Sequence, residues 1–457
     1  MKLGSNRFHL VGVGGSGMSA LARLLHGIGA EVTGSDAVVG EVLHNLGQEG
    51  ITAWAGHRPE RLSGENGYVV RSAAVPATDT EVAECERRGF TSMLYAEAVG
   101  RLSEGKRTLA VAGTHGKTTT TALTVSALRA GGLDPSHLVG GEVPELGGNG
   151  HGGEDDVLVV EACEFNRSFH HLRPFAAGIL NLDHDHFDCY PSTDDLIEAF
   201  AGYLARVRPD GTVFVEEFVP DAVVNAVRKD VRVVRVGSGL FADLRAVEVT
   251  DDLGRYSFVP IFEGQRLPPV HLKIPGRFQM HNALFALGLA ATVGADLEGA
   301  CAGLEDFHGV RRRFEMLRGQ NGGRLINDYA HHPAEIRAVI RAARKRFPGK
   351  RLVVAFQPHQ HQRTLHLLDQ FAEVLADADH CLIADIYGAR ESREIRDRVS
   401  ATDLVEAIRY RGGRSDLGGH VHELPERLTA LYEQDDLLLI LGAGDIGGVV
   451  EDVVARL

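Results

Sequence analysis

Gly113-Thr114-His115-Gly116-Lys117-Thr118-Thr119-Thr120 decides the reading of this chain. An apolar run over 108–112 leads into it and residues 122–130 follow with helical spacing, so the glycines fall at a turn from strand to helix. Glycines at 113 and 116 let successive backbone N–H groups converge on phosphate oxygens, and the helix turns its positive dipole end toward the same oxygens. Lys117 adds a full charge, and Thr118 offers a hydroxyl to a magnesium ion bridging the phosphates. Gly113, Thr114, Gly116, Lys117, Thr118 and Thr119 are therefore the candidate ATP-binding residues. The loop is shorter than G-x-x-x-x-G-K-[ST], with Val111 where the first glycine would stand, which points to a particular subclass of phosphate loop.

Working outward, 457 residues exceed one hydrophobic core and suggest about three domains. The composition, 44% hydrophobic and 24% charged, is that of an ordinary globular protein. No apolar run approaches a membrane span and no leader opens the chain, so a cytoplasmic protein is expected. A formal net charge of -14 argues against nucleic acid as a partner, because phosphate backbones demand clustered cations. Five scattered cysteines without C-x-x-C spacing point to thiols rather than to disulfides or zinc.

An apolar strand over 8–13 runs into Gly12-Val13-Gly14-Gly15-Ser16-Gly17 and then a helix, with Asp36 about twenty residues on, where a ribose hydroxyl is usually held. That pattern alone fits a nicotinamide oxidoreductase or any nucleoside-diphosphate site. Ser72 ends a further strand, as a ligand contact or as turn chemistry. In the middle segment, a buried strand over 157–160 ends at Glu161, a metal-ligand candidate beside the phosphate loop. Another, over 176–180, ends in Asn181-Leu182-Asp183-His184-Asp185-His186-Phe187-Asp188, a concentration of ionisable groups that is costly unless it serves a site. His186 is the second metal candidate, oriented by Asp185 or Asp188. Asn282, near the start of an Ala- and Leu-rich helix, fits a purine contact or a helix cap. Short strands over 211–269 suggest no chemistry.

Arg311-Arg312-Arg313 precedes Gly319-Gln320-Asn321-Gly322-Gly323, which reads as an interdomain hinge from which Arg313 could reach a transferred phosphate. Three later strand ends carry Asp328-Tyr329-Ala330-His331-His332-Pro333, then His359 to Arg363, then Tyr387 to Arg390. This is the expected ligand crevice of a parallel sheet, with Tyr329, His331, Arg363 and Arg390 suited to a carboxylate or phosphate. Gly442-Ala443-Gly444-Asp445-Ile446-Gly447 repeats the glycine pattern too near the end of the chain for a dinucleotide site.

Together these motifs, in this order, resemble the Mur ligases, and within them the branch that adds the first amino acid. The resemblance implies an α/β chain of three domains: a Rossmann-like UDP-sugar domain (1–105), a central phosphate-loop ATPase domain with a mixed sheet (106–318), and a Rossmann-like amino-acid domain (319–457). It implies ATP-dependent amide formation between L-alanine and the lactoyl carboxylate of UDP-N-acetylmuramate through an acyl phosphate, by a monomer or weak homodimer. Gly14, Gly15, Ser16, Gly17, Asp36 and Ser72 would then serve the UDP sugar. Thr118, Glu161 and His186 would hold magnesium, Asp328 would lie near the ribose and phosphates, and Tyr329, His331 and Arg363 near the substrate carboxylate and amino acid. Lys117, His186, Arg313 and His331 would carry the catalysis. The chain departs from the family pattern at Phe278-Gln279, where His-Asn is common, at Cys163, where an acid often stands, and at Gln360, where an arginine is frequent. The nearest rival is a recycling ligase that joins a tripeptide to the same sugar nucleotide. That enzyme usually carries Thr-Phe in place of Ser16 and Gly17.

Overall fold

The computed structural model describes residues 6–185, 187, 189–388 and 391–457. Among the described residues, three sheets follow one another along the chain, with five, eleven and six strands. The first is all parallel, in the order Thr52–Ala55, Glu31–Asp36, Arg7–Val11, Gly67–Arg71, Phe90–Leu94. Its strand order reverses at Arg7–Val11, so the first glycine loop opens at the switch point, where such sheets form a crevice.

At the centre of the second sheet lies Arg107–Ala112, paired in parallel with Val157–Glu161 on one side and Ala176–Ile179 on the other. These strands are apolar almost throughout because both of their faces are covered. The phosphate loop therefore emerges between the two acid-bearing strand ends. Residues 211–269 prolong the sheet through Thr212–Glu216 and Arg232–Gly237, then turn it antiparallel at the pair Leu244–Asp252 and Arg255–Phe262.

The third sheet begins at Glu315–Arg318, which pairs antiparallel with Arg324–Asp328. Leu437–Leu441, Leu352–Phe356, His380–Ala384 and Ser415–Gly419 then follow in parallel. This corrects one expectation. The glycine-rich stretch at 319–323 is the turn of a hairpin, closed by Gly319 N–H to Gly323 O at 2.9 Å, and not a hinge. The third sheet accordingly starts before residue 319, at Glu315, and the segment 307–314 leads into it from the second sheet. Glycine and polar residues mark any tight turn, so composition could not tell a hairpin from a linker.

One apolar core runs without a break from Phe8, Leu10 and Leu21 of the first sheet layer to Ala110, Ile179 and Phe200 of the second. Arg23 reinforces that junction, binding Glu49 at 2.7 Å and Glu142 at 3.0 Å. The C-terminal sheet keeps its own cores, one on each face. No helix among the described residues is long and apolar enough to cross a membrane.

Candidate active site

The phosphate loop is shaped by its glycines. Gly113 and Gly116 have φ of +137° and +84°, conformations that side chains rarely adopt. Gly116 ends the loop as the N-cap of the helix Lys117–Ala130. Lys117 folds back over the loop, donating to Gly113 O at 2.6 Å and Thr114 O at 3.1 Å, and its ammonium meets Glu164 at 2.9 Å. Burial alone would lower the Lys117 ammonium, but the charge of Glu164 raises it, so the cation is secure.

Glu161 and Thr118 lie on either side of this loop. Glu161 pairs in register with Val111, and its carboxylate accepts Gly140 N–H at 2.5 Å. The Thr118 hydroxyl lies 3.5 Å from Arg313 Nη2, so an arginine of the interdomain crossing reaches the loop. A threonine hydroxyl and a carboxylate are hard oxygen donors and fit magnesium. His186, the third expected ligand, and Arg390 fall outside the described residues.

A cavity of about 260 Å³ opens between the central and C-terminal domains, lined by His115, Gly116, Thr119, Asn282, Arg313 and Asp328 among others. Phe278 and Gln279 line it too. Asn282 is the sixth residue of the helix Arg277–Thr292 and not its cap; Gly276 takes that place. The Asn282 amide donates to Gln279 Oε1 at 2.9 Å, and its oxygen packs so close to Gly116 that a side chain there would collide. Asp328 is buried at the end of Arg324–Asp328 and accepts the N–H groups of Phe314 and Ala330, each at 2.7 Å. Burial pushes its carboxyl up to about 6 in spite of Arg313 and these hydrogen bonds.

The C-terminal strand ends gather as expected, but not all as cations. Tyr329 is covered by two guanidinium groups, Arg312 at 4.9 Å and Arg313 at 4.8 Å from the ring centre. His331 Nδ1 faces Tyr329 O at 3.0 Å, and because a carbonyl only accepts, Nδ1 carries the proton and Nε2 the lone pair. Burial drives its basicity down to about 3, so His331 is a neutral acceptor and adds no positive charge. Arg363, with its side chain only 3% exposed, forms a two-pronged pair with Asp185 at 2.7 and 3.1 Å. Asp185, expected to orient His186, thus joins the two domains through Arg363. Arg312 donates to Gly442 O at 2.9 Å, so the second glycine motif anchors an arginine.

The first glycine loop is partly engaged by the protein itself. Asp36 Oδ2 accepts Gly14 N–H at 2.8 Å, and Ser16 Oγ donates to Gly140 O at 2.6 Å, across to the central domain. A Cβ at Gly15 would make ordinary contact with Gly12 O at 3.6 Å, whereas a side chain at Gly17 would press on Tyr95. Ser72 Oγ accepts Ala74 N–H at 3.3 Å, which is turn chemistry. Sequence reading did not single out Glu335 or Glu164 for this site. Glu335 had a legible signal, three residues after His332 at the start of a helix, the spacing of a capping box.

Comparison with known proteins supplies the family. Family profiles described as "Mur ligase family, catalytic domain", "Mur ligase middle domain" and "Mur ligase, glutamate ligase domain" match residues 7–107, 111–290 and 312–444. The UDP-N-acetylmuramate--L-alanine ligase of Salinibacter ruber is 38% identical, over 98% of this chain and 94% of its own. Its namesake in Rubrobacter xylanophilus is also 38% identical, over 99% and 100%. The crystal structure of a UDP-N-acetylmuramate-alanine ligase from Thermotoga maritima shares the fold with a TM-score of 0.79 at 25% identity, covering 98% of each chain. A murein peptide ligase from Psychrobacter arcticus reaches 0.75 at 24%, covering 99% and 98%, so the backbone alone does not separate the two activities. With three profiles matched in order and relatives aligned from end to end, this chain belongs to the Mur ligase family.

Proposed function

We infer that this chain joins L-alanine to the lactoyl carboxylate of UDP-N-acetylmuramate at the expense of ATP, forming an amide bond in peptidoglycan synthesis. The observation that carries the reading is Arg313 reaching Thr118 of the phosphate loop from the interdomain crossing. A cation at this point would serve the meeting of two anionic reactants, which supports the reading. The near full-length relatives supply the substrates by analogy.

The N–H groups of Gly116 to Thr118, at the start of the helix, receive the ATP phosphates, and Lys117 exchanges Glu164 for a phosphate oxygen. The lactoyl carboxylate attacks the γ-phosphorus, giving an acyl phosphate and ADP. Lys117 and Arg313 offset the negative charge that gathers there. The neutral amine of L-alanine then attacks the acyl carbon, and the tetrahedral intermediate expels phosphate, which takes up the proton that the amine gives up. Neutral His331 presents Nε2 as an acceptor that orients this amine, beside Tyr329 and the Arg363–Asp185 pair. Thr118 and Glu161, with His186, would hold magnesium, which when bound neutralises phosphate charge.

We assign the UDP sugar to the N-terminal domain, ATP to the central one and the amino acid to the C-terminal one. We propose a monomer or weak homodimer, and the nucleotide substrates support a cytoplasmic setting. The test is phosphate release from ATP with magnesium and UDP-N-acetylmuramate, comparing L-alanine, a tripeptide and no acceptor. Alanine-dependent release is expected. Release with the tripeptide alone would reassign the chain to the recycling reaction, and none with either would overturn the ligase reading.

A further inference from the structure

One carboxylate outside the expected set bridges the two halves of the site. Glu335 stands at the third position of the helix Pro333–Arg346, and its Oε2 accepts the N–H groups of His331 at 3.0 Å and His332 at 3.3 Å. Its Oε1 leaves its own domain and meets His115 Nδ1, in the phosphate loop, at 3.0 Å. The far ring nitrogen of His115 lies 3.1 Å from Asp183 Oδ2. The backbone of His115 is fixed as well: its N–H donates to Asn181 Oδ1 at 2.8 Å, and Asn181 Nδ2 donates to its carbonyl at 3.0 Å. The His332 ring packs on the His115 ring at 4.9 Å between centres. His115, Asp183 and Glu335 all line the interdomain cavity.

We propose that Glu335 is a positioning residue whose carboxylate clasps His115 of the phosphate loop while capping His331 and His332, and so sets the C-terminal domain in register with bound ATP. The two oxygens divide the work. One fixes the backbone that carries His331, and the other ties that backbone to the loop that receives phosphate. Displacing the pair moves the amine-orienting group relative to the acyl phosphate, although neither Glu335 nor His115 need touch the amino acid. Mispositioning of this kind lowers the rate of transfer more than the binding of a substrate held elsewhere.

This inference rests on the ligase reading above, and the experiment keeps the two apart. Glu335→Gln retains an oxygen to accept the capping N–H groups but loses the charge-assisted bond to His115. It is expected to lower kcat about tenfold, raise KM for L-alanine and leave KM for UDP-N-acetylmuramate unchanged. His115→Asn should give the same split, and the double variant should be no slower than the slower single one. A wild-type kcat in Glu335→Gln, or losses that multiply in the double variant, overturns the clasp. If Glu335→Gln fails to fold, His115→Asn carries the same test alone. If the wild type shows no alanine-dependent turnover, the ligase reading has failed, and the clasp is then judged by ATP affinity in calorimetry. A loss of about tenfold in the variants supports it, and equal affinity sinks it.

Discussion

Lys117 begins its working cycle attached to Glu164 and to two carbonyls of its own loop. Removing it as Lys117→Ala should cut turnover by at least about 10³-fold while UDP-N-acetylmuramate still binds. Joint loss of turnover and sugar binding in calorimetry would contradict the allotment of substrates to domains. The loop itself was legible, because glycine, lysine and threonine carry their chemistry in fixed local order. The partners of its residues were not, since Glu164, Asn282 and Arg313 arrive from 47, 166 and 195 residues away from the groups they touch. Asp185 illustrates the same limit. Its place in an ionisable cluster announced a site, but only the folded chain pairs it with Arg363, 178 residues away.

Among elements, the central strands of all three sheets were readable from apolar runs that stop at polar residues, but not outlying ones such as Thr52–Ala55, Phe90–Leu94 and Ser415–Gly419. The hairpin Glu315–Arg318 and Arg324–Asp328 was not, because its turn has the composition of a linker. A second feature concealed by sequence distance is Glu81, buried under the first sheet with His9, Ser35, Trp54 and the Arg58 amide as donors. Burial alone would raise its carboxyl, but these hydrogen bonds pull it down to about 2, from about 4.5 when free. A depressed value means that the stabilisation is present above pH 4.5 and is lost as pH falls through about 2. Glu81→Gln should therefore cost about 2 kcal/mol near neutrality and flatten the acid limb of thermal unfolding. An acid limb identical to that of the wild type would show that Glu81 is not the group responsible.

At the scale of the molecule, the N-terminal and central domains share an apolar core, whereas the C-terminal domain meets the rest largely through polar pairs. Polar contacts of this kind release more readily than a common core. His115 makes the junction pH-sensitive. Burial would lower its ring, yet Glu335 and Asp183 raise it to about 9, with the His332 ring alongside. A raised value means that the contribution of this contact to docking is fully present below about pH 6.5 and is lost as pH rises through about 9. Small-angle scattering of the free protein should thus show a larger radius above pH 9 than at pH 6.5, and an unchanged radius would contradict the assignment.

The crossing at 307–314 carries Arg312 and Arg313, so the pivot and the cations it delivers are one piece of chain. The turn at 319–323 is closed within its own hairpin and leaves that piece untouched. The protein can accordingly be cut within this turn without losing its chemistry. Nicked by a site-specific protease within 319–323, the two fragments keep every strand of the third sheet paired and should copurify in working order. A nick at Gly309 releases the arginines from the ATP-bearing half and should leave two folded but idle pieces.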